Sequence, residues 1–138
     1  MSYLLDTNVI SELARTNPNH NVVEWVDGAP PEALHLSVLS LGEIRKGVEK
    51  LTEGKRKERL TLWLEHDLPL WFGDRFLPID AATADRWGLL TAQATRSIPA
   101  IDSLLAATAL THGLTLATRN VKDFDFPGLN VVNPWDGI

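Results

Sequence analysis

Four acidic residues lie where the ends of predicted strands would bring them together. Asp6 directly follows the first apolar run of the chain, and Glu43 lies near the start of the helix after the second run. Asp102 begins the helix that leads into a later apolar run, and Asp123 follows that run. Crowded carboxylates raise one another's pKa, so we expect a cation at their centre.

The residue types favour a hard divalent cation and hydrolysis. Carboxylate oxygens suit Mg²⁺ or Mn²⁺, and the sequence contains no Cys that could bind a softer metal or act as a nucleophile. No Ser lies in a nucleophile-elbow pattern. A divalent ion that activates water and stabilises charge on phosphate oxygens is the simplest chemistry that remains. The pattern therefore predicts phosphoryl hydrolysis by metal-activated water.

The elements that would position these acids alternate between strands and helices. Apolar runs predict strands at 3–5, 34–38, 76–79, 114–117 and 131–132. Helical spacing predicts helices at 8–15, 22–26, 41–51, 55–71, 81–94 and 101–112. This alternation favours a parallel sheet covered on both faces, an α/β fold in the form of a three-layer α/β/α sandwich. Ligands of such sheets bind outside the carboxyl ends of the strands, which is where the acids are predicted to lie.

Each acid also has a purely structural interpretation. Asp6 is a possible N-cap of the first helix. If Ser40 caps the third helix, then Glu43 is its capping-box partner three residues later. Asp102 could serve the helix dipole, and Asp123 could be a turn residue. These roles do not exclude ligation, and they do not require the acids to share one edge of the sheet.

Length and composition limit the classes of protein that fit. The chain has 138 residues, which predicts one domain covering residues 1–138. No apolar run approaches the roughly 18 residues of a membrane span, and no signal peptide is evident, so we expect a cytoplasmic protein with no membrane partner. The net charge of −5 is unusual for a nucleic-acid binder. Acids gathered around a metal would, however, reverse the local field.

Three stretches of the sequence together resemble one known family. They read "LLDTNVISEL", "SVLSLGEIRKGV" and "IPAIDSLLAATALTHGLTLATRNVKDF". They closely resemble the PIN-domain family, and within it the VapC-type toxins of bacterial toxin–antitoxin pairs, especially the FitB-like branch. The resemblance implies a parallel sheet of order 3-2-1-4-5 and an Mg²⁺- or Mn²⁺-dependent endoribonuclease. It also implies a VapB- or FitA-like antitoxin as partner, a homodimer, and a larger assembly with the antitoxin.

The resemblance assigns roles to particular residues. Asp6 and Asp102 would be the main metal ligands, and Glu43 and Asp123 would bind a second metal or position water. The polar residues that would support the site are Asn8, Thr118 and the turn residue Asn120.

Other candidate residues come from charge and aromatic content. Arg45 and Lys46 begin a dense basic stretch at 45–59, and Arg119 lies close to Asp123, so these cations could contact RNA phosphates. The alternative for the basic stretch is a solvated helical face. Trp25 and Trp63 could line an apolar groove for an antitoxin helix or for the dimer; the alternative is packing in the core.

Three other functions compete with a ribonuclease toxin. An aspartate-nucleophile phosphatase also begins with an Asp after its first strand, but here Asn8 stands where a second acid is expected. A second alternative, more similar to the leading hypothesis, is a PIN nuclease that cuts DNA or processes RNA without toxicity. A degenerate PIN fold that only binds a partner is the non-enzymatic alternative.

Overall fold

The strands form one five-stranded parallel sheet. The computed structural model describes residues 1–137, and its strands are β1 (Tyr3–Leu5), β2 (Leu34–Ser37), β3 (Phe76–Leu77), β4 (Thr115–Ala117) and β5 (Val131–Val132). Their order is β3-β2-β1-β4-β5, and every neighbouring pair is parallel. This confirms the predicted fold class and strand order, and it places β1 at the centre.

Helices connect the strands. They are α1 (Thr7–Leu13), α2 (His20–Asp27), α3 (Val38–Glu49), α4 (Lys55–Leu62), α5 (Leu68–Phe72), α6 (Ala81–Ala92) and α7 (Ala100–His112). A π-helical turn, Trp63–Asp67, joins α4 to α5, and short 3-10 segments include Val121–Phe124 and Pro134–Asp136. Within residues 1–137, no helix has the length and apolarity needed to cross a membrane.

Two hydrophobic cores lie on opposite faces of the sheet. Successive strand residues point to opposite faces, so Leu5 packs into one core and Leu4 into the other. The Leu5 core is built with α1, α2, α3 and α5, whereas the Leu4 core is built mainly with α7. Both leucines are fully buried, as expected for strands covered on both sides. The three-layer sandwich is therefore confirmed.

The start of α3 differs from the prediction. The helix begins at Val38, directly after β2, and Ser37 caps it by accepting a hydrogen bond from the Leu39 N–H at 3.1 Å. The predicted cap, Ser40, lies inside the helix and is fully buried. Glu43 is consequently not a capping-box residue. The predicted cap was wrong because Ser37, at the end of the strand, already supplies the oxygen that caps the helix.

Two prolines explain further differences from the predicted elements. The predicted helix 55–71 is interrupted by the π-helical turn, because Pro69 has no N–H to donate to the preceding turn. The third strand ends at Leu77 rather than at residue 79, and Pro78 follows it. A proline has no N–H for a sheet ladder, so the strand stops there.

Other helix ends agree with the prediction. Asp80 caps α6, and its carboxylate accepts a hydrogen bond from the Thr83 N–H at 2.9 Å. Helix α7 ends at Gly113, which has φ of +66°. Glycine adopts this left-handed conformation without strain, so the chain can turn sharply into β4.

Candidate active site

Asp6 is held rigidly at the carboxyl end of the central strand. Its backbone N–H donates to the Ala117 carbonyl at 2.8 Å, which extends the pairing of β1 with β4. Its side chain is 7% exposed, and both carboxylate oxygens have partners. Oδ1 accepts the Thr7 N–H at 2.7 Å, and Oδ2 accepts the Thr118 hydroxyl at 2.8 Å. Asp6 is therefore both the N-cap of α1 and a fixed acid.

The surroundings of Asp6 act on its pKa in opposite directions. Burial is the largest effect and raises the pKa, because a desolvated carboxylate loses hydration. The hydrogen bonds from Thr118 and Thr7 lower it, and the negative charges of Asp102 and Glu43 raise it. The net result is a pKa above the ordinary value of 3.8. A nearby cation would oppose this effect by stabilising the charged form.

Glu43 reaches the same place from α3. Its side chain is exposed, and Oε1 accepts the Thr7 hydroxyl at 2.6 Å. The Thr7 oxygen also lies 2.7 Å from the hydroxyl of the buried Ser40. Thr7 thus contacts Asp6 through its backbone and Glu43 through its side chain. These contacts bring together two acids that belong to different elements.

Asp102 and Asp123 complete the group. Asp102 lies in the first turn of α7, and Asp123 lies on the exposed 3-10 segment that follows β4. Burial of Asp102 raises its pKa, and the charges of Asp123 and Glu43 raise it further. Through these charges the four carboxylates form one connected group, with Asp6 its most buried member.

The donor set fits a divalent cation. Within residues 1–137, none of these four acids forms an ion pair with Lys, Arg or His. Among the same residues, no three Asp, Glu or His side chains already converge closely enough to hold an ion. Carboxylates that repel one another are expected to stand apart until a cation neutralises them. The oxygen-only set suits Mg²⁺ or Mn²⁺.

The supporting polar residues form a small network around Thr118. Because the Thr118 hydroxyl donates to Asp6, its oxygen accepts, from the Asn120 N–H at 3.0 Å and from the Asn8 amide at 3.4 Å. The Asn8 Oδ1 atom is buried, and no described residue donates to it. A buried acceptor of this kind needs a partner such as water or an ion. Asn120 contributes through its backbone, so its side chain is not needed for this network.

A groove of about 670 Å³ adjoins the acids. Helices α1, α3 and α4 form its walls, and Asn8 and Glu43 lie at the end nearest the acids. Arg119 also lines it, and the guanidinium carbon of this residue lies 5.3 Å from the centre of the Trp135 ring. Further arginines on the walls are Arg15, Arg56 and Arg59.

Arg45 and Lys46, the other two predicted RNA contacts, have different surroundings. Arg45 pairs with Glu49 at 3.3 Å and with Glu65 at 3.1 Å, so its guanidinium already has two acidic partners, as Arg15 in the groove has one in Glu12 at 3.3 Å. Lys46 is exposed and lines a second depression that also includes Glu43. Lys46 is therefore the better placed of the two for a phosphate near the acids.

The two tryptophans have different surroundings. Trp63 lines the groove of about 670 Å³. Trp25 packs edge-on against Tyr3, with ring centres 4.8 Å apart and an interplanar angle of 74°. Both side chains are partly buried against the core that contains Leu5. The structure thus gives Trp63 a place in a groove and gives Trp25 a packing role.

Sequence reasoning missed Thr7 and Trp135. Thr7 directly follows Asp6 at the start of α1, and this position was the signal that could have identified it. Trp135 lies in the 3-10 segment Pro134–Asp136, and nothing in the sequence pairs it with Arg119.

Comparison with known proteins agrees with this geometry. A family model described as PIN domain matches residues 3–126. Toxin FitB of Neisseria gonorrhoeae is 41% identical over 135 residues, which are 96% of this chain and 97% of FitB. VapC ribonuclease Y4jK of Sinorhizobium fredii is 38% identical over 136 residues, 96% of this chain and 97% of that protein.

A solved structure has the same fold. The crystal structure of FitAcB from Neisseria gonorrhoeae matches with a TM-score of 0.90 and 40% identity, covering 96% of this chain and 98% of that one. The chain therefore belongs to the PIN domain family, and within that family it is similar to the VapC-type toxins.

Proposed function

We propose that the protein is the ribonuclease toxin of a toxin–antitoxin pair and hydrolyses RNA phosphodiester bonds with Mg²⁺ or Mn²⁺. The observation that carries this proposal is that four acids, Asp6, Glu43, Asp102 and Asp123, lie at or near the carboxyl edge of the parallel sheet, and none of them has a basic partner among residues 1–137. The names of the relatives, VapC ribonuclease Y4jK and Toxin FitB, support both parts of the proposal.

The acids divide by exposure into two roles. Asp6 and Asp102 are the more buried members and would be the main ligands of the cation. Glu43 and Asp123 are exposed and would bind a second ion or orient the attacking water. When bound, the cation supplies positive charge for the phosphate oxygens and lowers the pKa of water. Thr118 and Thr7 keep the Asp6 carboxylate oriented and favour its ionised form.

RNA would approach along the arginine-lined groove. Its walls carry cations that can contact phosphates, and Trp63 and Trp135 offer faces on which unpaired bases can stack. Arg119 is the cation we expect nearest the reacting phosphate, since it directly follows Thr118, whose hydroxyl donates to Asp6. These local cations offset the overall charge of −5.

The proposed partner is a VapB- or FitA-like antitoxin. FitB is named a toxin, and the family resemblance pairs such toxins with antitoxins. An antitoxin that fills the groove beside Glu43 would block RNA, and Trp63 and Trp135 are the aromatic residues placed to contact it. A homodimer, and a larger assembly with the antitoxin, belong to the same proposal, as does a cytoplasmic location.

The nuclease proposal is tested by cleavage of structured RNAs and single-stranded DNA. Wild type, Asp6→Asn and a control, Asp85→Asn, are compared with Mg²⁺, with Mn²⁺ and with EDTA; Asp85 is exposed on α6. We expect metal-dependent cutting of RNA by wild type and by the control, and none by Asp6→Asn. Cutting of DNA alone would favour a DNA nuclease. Absence of metal binding would leave the fold as a binding module.

The toxin proposal needs a separate test. Growth of cells expressing wild type or Asp6→Asn is measured with and without co-expression of any small reading frame found beside the gene. We expect wild type to stop growth, the neighbouring protein to restore it, and Asp6→Asn to be harmless. Growth unaffected by active wild-type nuclease would indicate an RNA-processing enzyme without a toxin role.

A further inference from the structure

Thr7 contacts two acids of the site at once. Its backbone N–H donates to Asp6 Oδ1 at 2.7 Å, and its hydroxyl donates to Glu43 Oε1 at 2.6 Å. Asp6 lies at the end of β1 and Glu43 lies on α3, so they belong to separate elements. From this geometry we infer that Thr7 is a positioning residue that fixes Glu43 relative to Asp6 and thereby prepares the site to bind a divalent cation.

The direction of each hydrogen bond follows from the number of protons. A hydroxyl has one proton, and an ionised carboxylate can only accept. The Thr7 proton therefore goes to Glu43, and the Ser40 hydroxyl, 2.7 Å away, must donate to Thr7. Ser40 is fully buried, and its oxygen lies on the face of α3 that meets the start of α1. The chain of donors thus runs from Ser40 through Thr7 to Glu43.

Glu43 needs this contact for two reasons. Its side chain is exposed and long, so without a donor it would sample many rotamers and lose that freedom when a cation binds. Its negative charge also repels the carboxylates of Asp6 and Asp102, and it adds to the effect of burial in raising the pKa of both residues. A short hydrogen bond to a charged acceptor is strong enough to hold the side chain beside the other acids despite this repulsion.

Substitution can separate the contact that Thr7 makes with Asp6 from the contact that it makes with Glu43. In Thr7→Val the N–H that binds Asp6 is retained, because it belongs to the main chain. The side chain keeps nearly the same shape and branching but loses the hydroxyl, so Glu43 and Ser40 both lose their partner. Thr7→Ser keeps the hydroxyl. The pair of variants therefore isolates the effect of one hydrogen-bonding group.

The inference rests on the proposed function and is tested by metal binding without RNA. Mn²⁺ affinity is measured by titration calorimetry for wild type, Thr7→Val and Thr7→Ser. The control is Thr91→Val, which removes a hydroxyl that donates to the Trp87 carbonyl at 2.8 Å on α6. Hydrogen-bond partners of metal ligands typically contribute about 10–100-fold in affinity. We expect Thr7→Val to lose about tenfold or more, with Thr7→Ser and the control close to wild type.

A further variant and a further assay complete the test. Ser40→Ala keeps the bond between Thr7 and Glu43 but removes the donor that orients it, so a smaller loss is expected. It also replaces Thr7→Val if that variant does not fold by circular dichroism. RNA cleavage at rising Mn²⁺ is expected to show that Thr7→Val needs more metal while its KM for RNA is unchanged.

The failures of the two proposals give different results. Equal Mn²⁺ affinity of wild type and Thr7→Val, or equal losses in Thr7→Val and Thr7→Ser, would overturn the role of the hydroxyl while leaving the nuclease proposal intact. If Thr7→Val does not fold, wild-type affinity in Ser40→Ala overturns it. If wild type itself binds no Mn²⁺ and cuts no RNA, the proposed function fails, and the inference fails with it.

Discussion

Thr118→Val should weaken the folded state by removing one buried donor. The Thr118 side chain is fully buried, and its hydroxyl donates to the buried Asp6 carboxylate at 2.8 Å. Valine has nearly the same shape, so the substitution leaves packing intact and deletes a hydrogen bond to a charged group. It also removes the acceptor of the Asn120 N–H and of the Asn8 amide; Asn120 is exposed and can bind water, and the Asn8 contact is long, at 3.4 Å.

The size of the effect follows from the charge on the acceptor. A hydrogen bond to a charged group contributes about 1.5–3 kcal/mol, and one between neutral groups contributes about 1 kcal/mol. Thr108 provides the neutral case, because it is also fully buried and its hydroxyl donates to the Leu104 carbonyl at 2.7 Å. We therefore expect Thr118→Val to lose about 2 kcal/mol and Thr108→Val to lose about 1 kcal/mol of unfolding free energy.

The dependence on pH separates the two variants further. The Thr118 hydroxyl lowers the pKa of Asp6, so its loss raises that pKa and makes the charged form harder to keep. The deficit of Thr118→Val relative to wild type is thus present where Asp6 is ionised and shrinks in acid, where Asp6 is protonated in both proteins. The deficit of Thr108→Val has no such titration and should stay constant.

Urea unfolding followed by tryptophan fluorescence, at several pH values and without metal, measures both deficits. Equal deficits for the two variants, or a Thr118→Val deficit that does not shrink in acid, would refute the assigned role of Thr118. A change in the slope of the unfolding free energy against urea concentration would instead indicate that the substitution altered the compactness of the native or the unfolded state.

Three further outcomes are expected. Without metal, Asp6→Asn should be more stable than wild type at neutral pH, because the raised pKa of Asp6 makes wild-type stability fall as pH rises through that pKa. The gain in unfolding free energy, measured in urea, should vanish near pH 3, and a loss of stability at every pH would contradict this expectation. Mg²⁺ or Mn²⁺ at about 100 times its Kd should add about 2.7 kcal/mol to the unfolding free energy of wild type and nothing to that of Asp6→Asn. Equal increases in the melting temperatures of the two proteins would show that the ion binds elsewhere. Gly113→Ala should lose about 1 kcal/mol in urea unfolding, because φ is +66° there and a Cβ atom meets no neighbour within 4 Å; no loss would mean that the turn relaxes.

The layered fold and the common edge of the acids could be predicted because they depend on regular features. Apolar runs alternate with helical spacing, and the resemblance supplies the order of strands. Where helices begin was harder to predict. Ser37 and Ser40 are both good caps in isolation, and only the end of β2 decides between them. Likewise, the helical segment continues past Pro69 because a π-helical turn precedes this residue, and local propensity does not predict that turn.

The contacts between distant residues could not be predicted from the sequence. Thr7 reaches Glu43 across 36 positions, and Arg119 lies over Trp135 because the chain returns beside α2, where Asn21 donates to the Trp135 carbonyl at 2.9 Å. Spacing along a sequence indicates which face of an element a residue occupies. It does not specify which side chain of another element will meet it.

The central position of β1 also determines when the site can exist during synthesis. The hydroxyl that holds Asp6 belongs to Thr118, 112 residues later in the chain, so a ribosome delivers it roughly 6–22 s after Asp6. Until then β1 lacks one of its two neighbouring strands, and the acid beside it has no donor from β4. Under the proposed function, a nascent chain is therefore harmless to the ribosome and messenger that produce it, and nuclease activity begins only once nearly all of the sheet has been made.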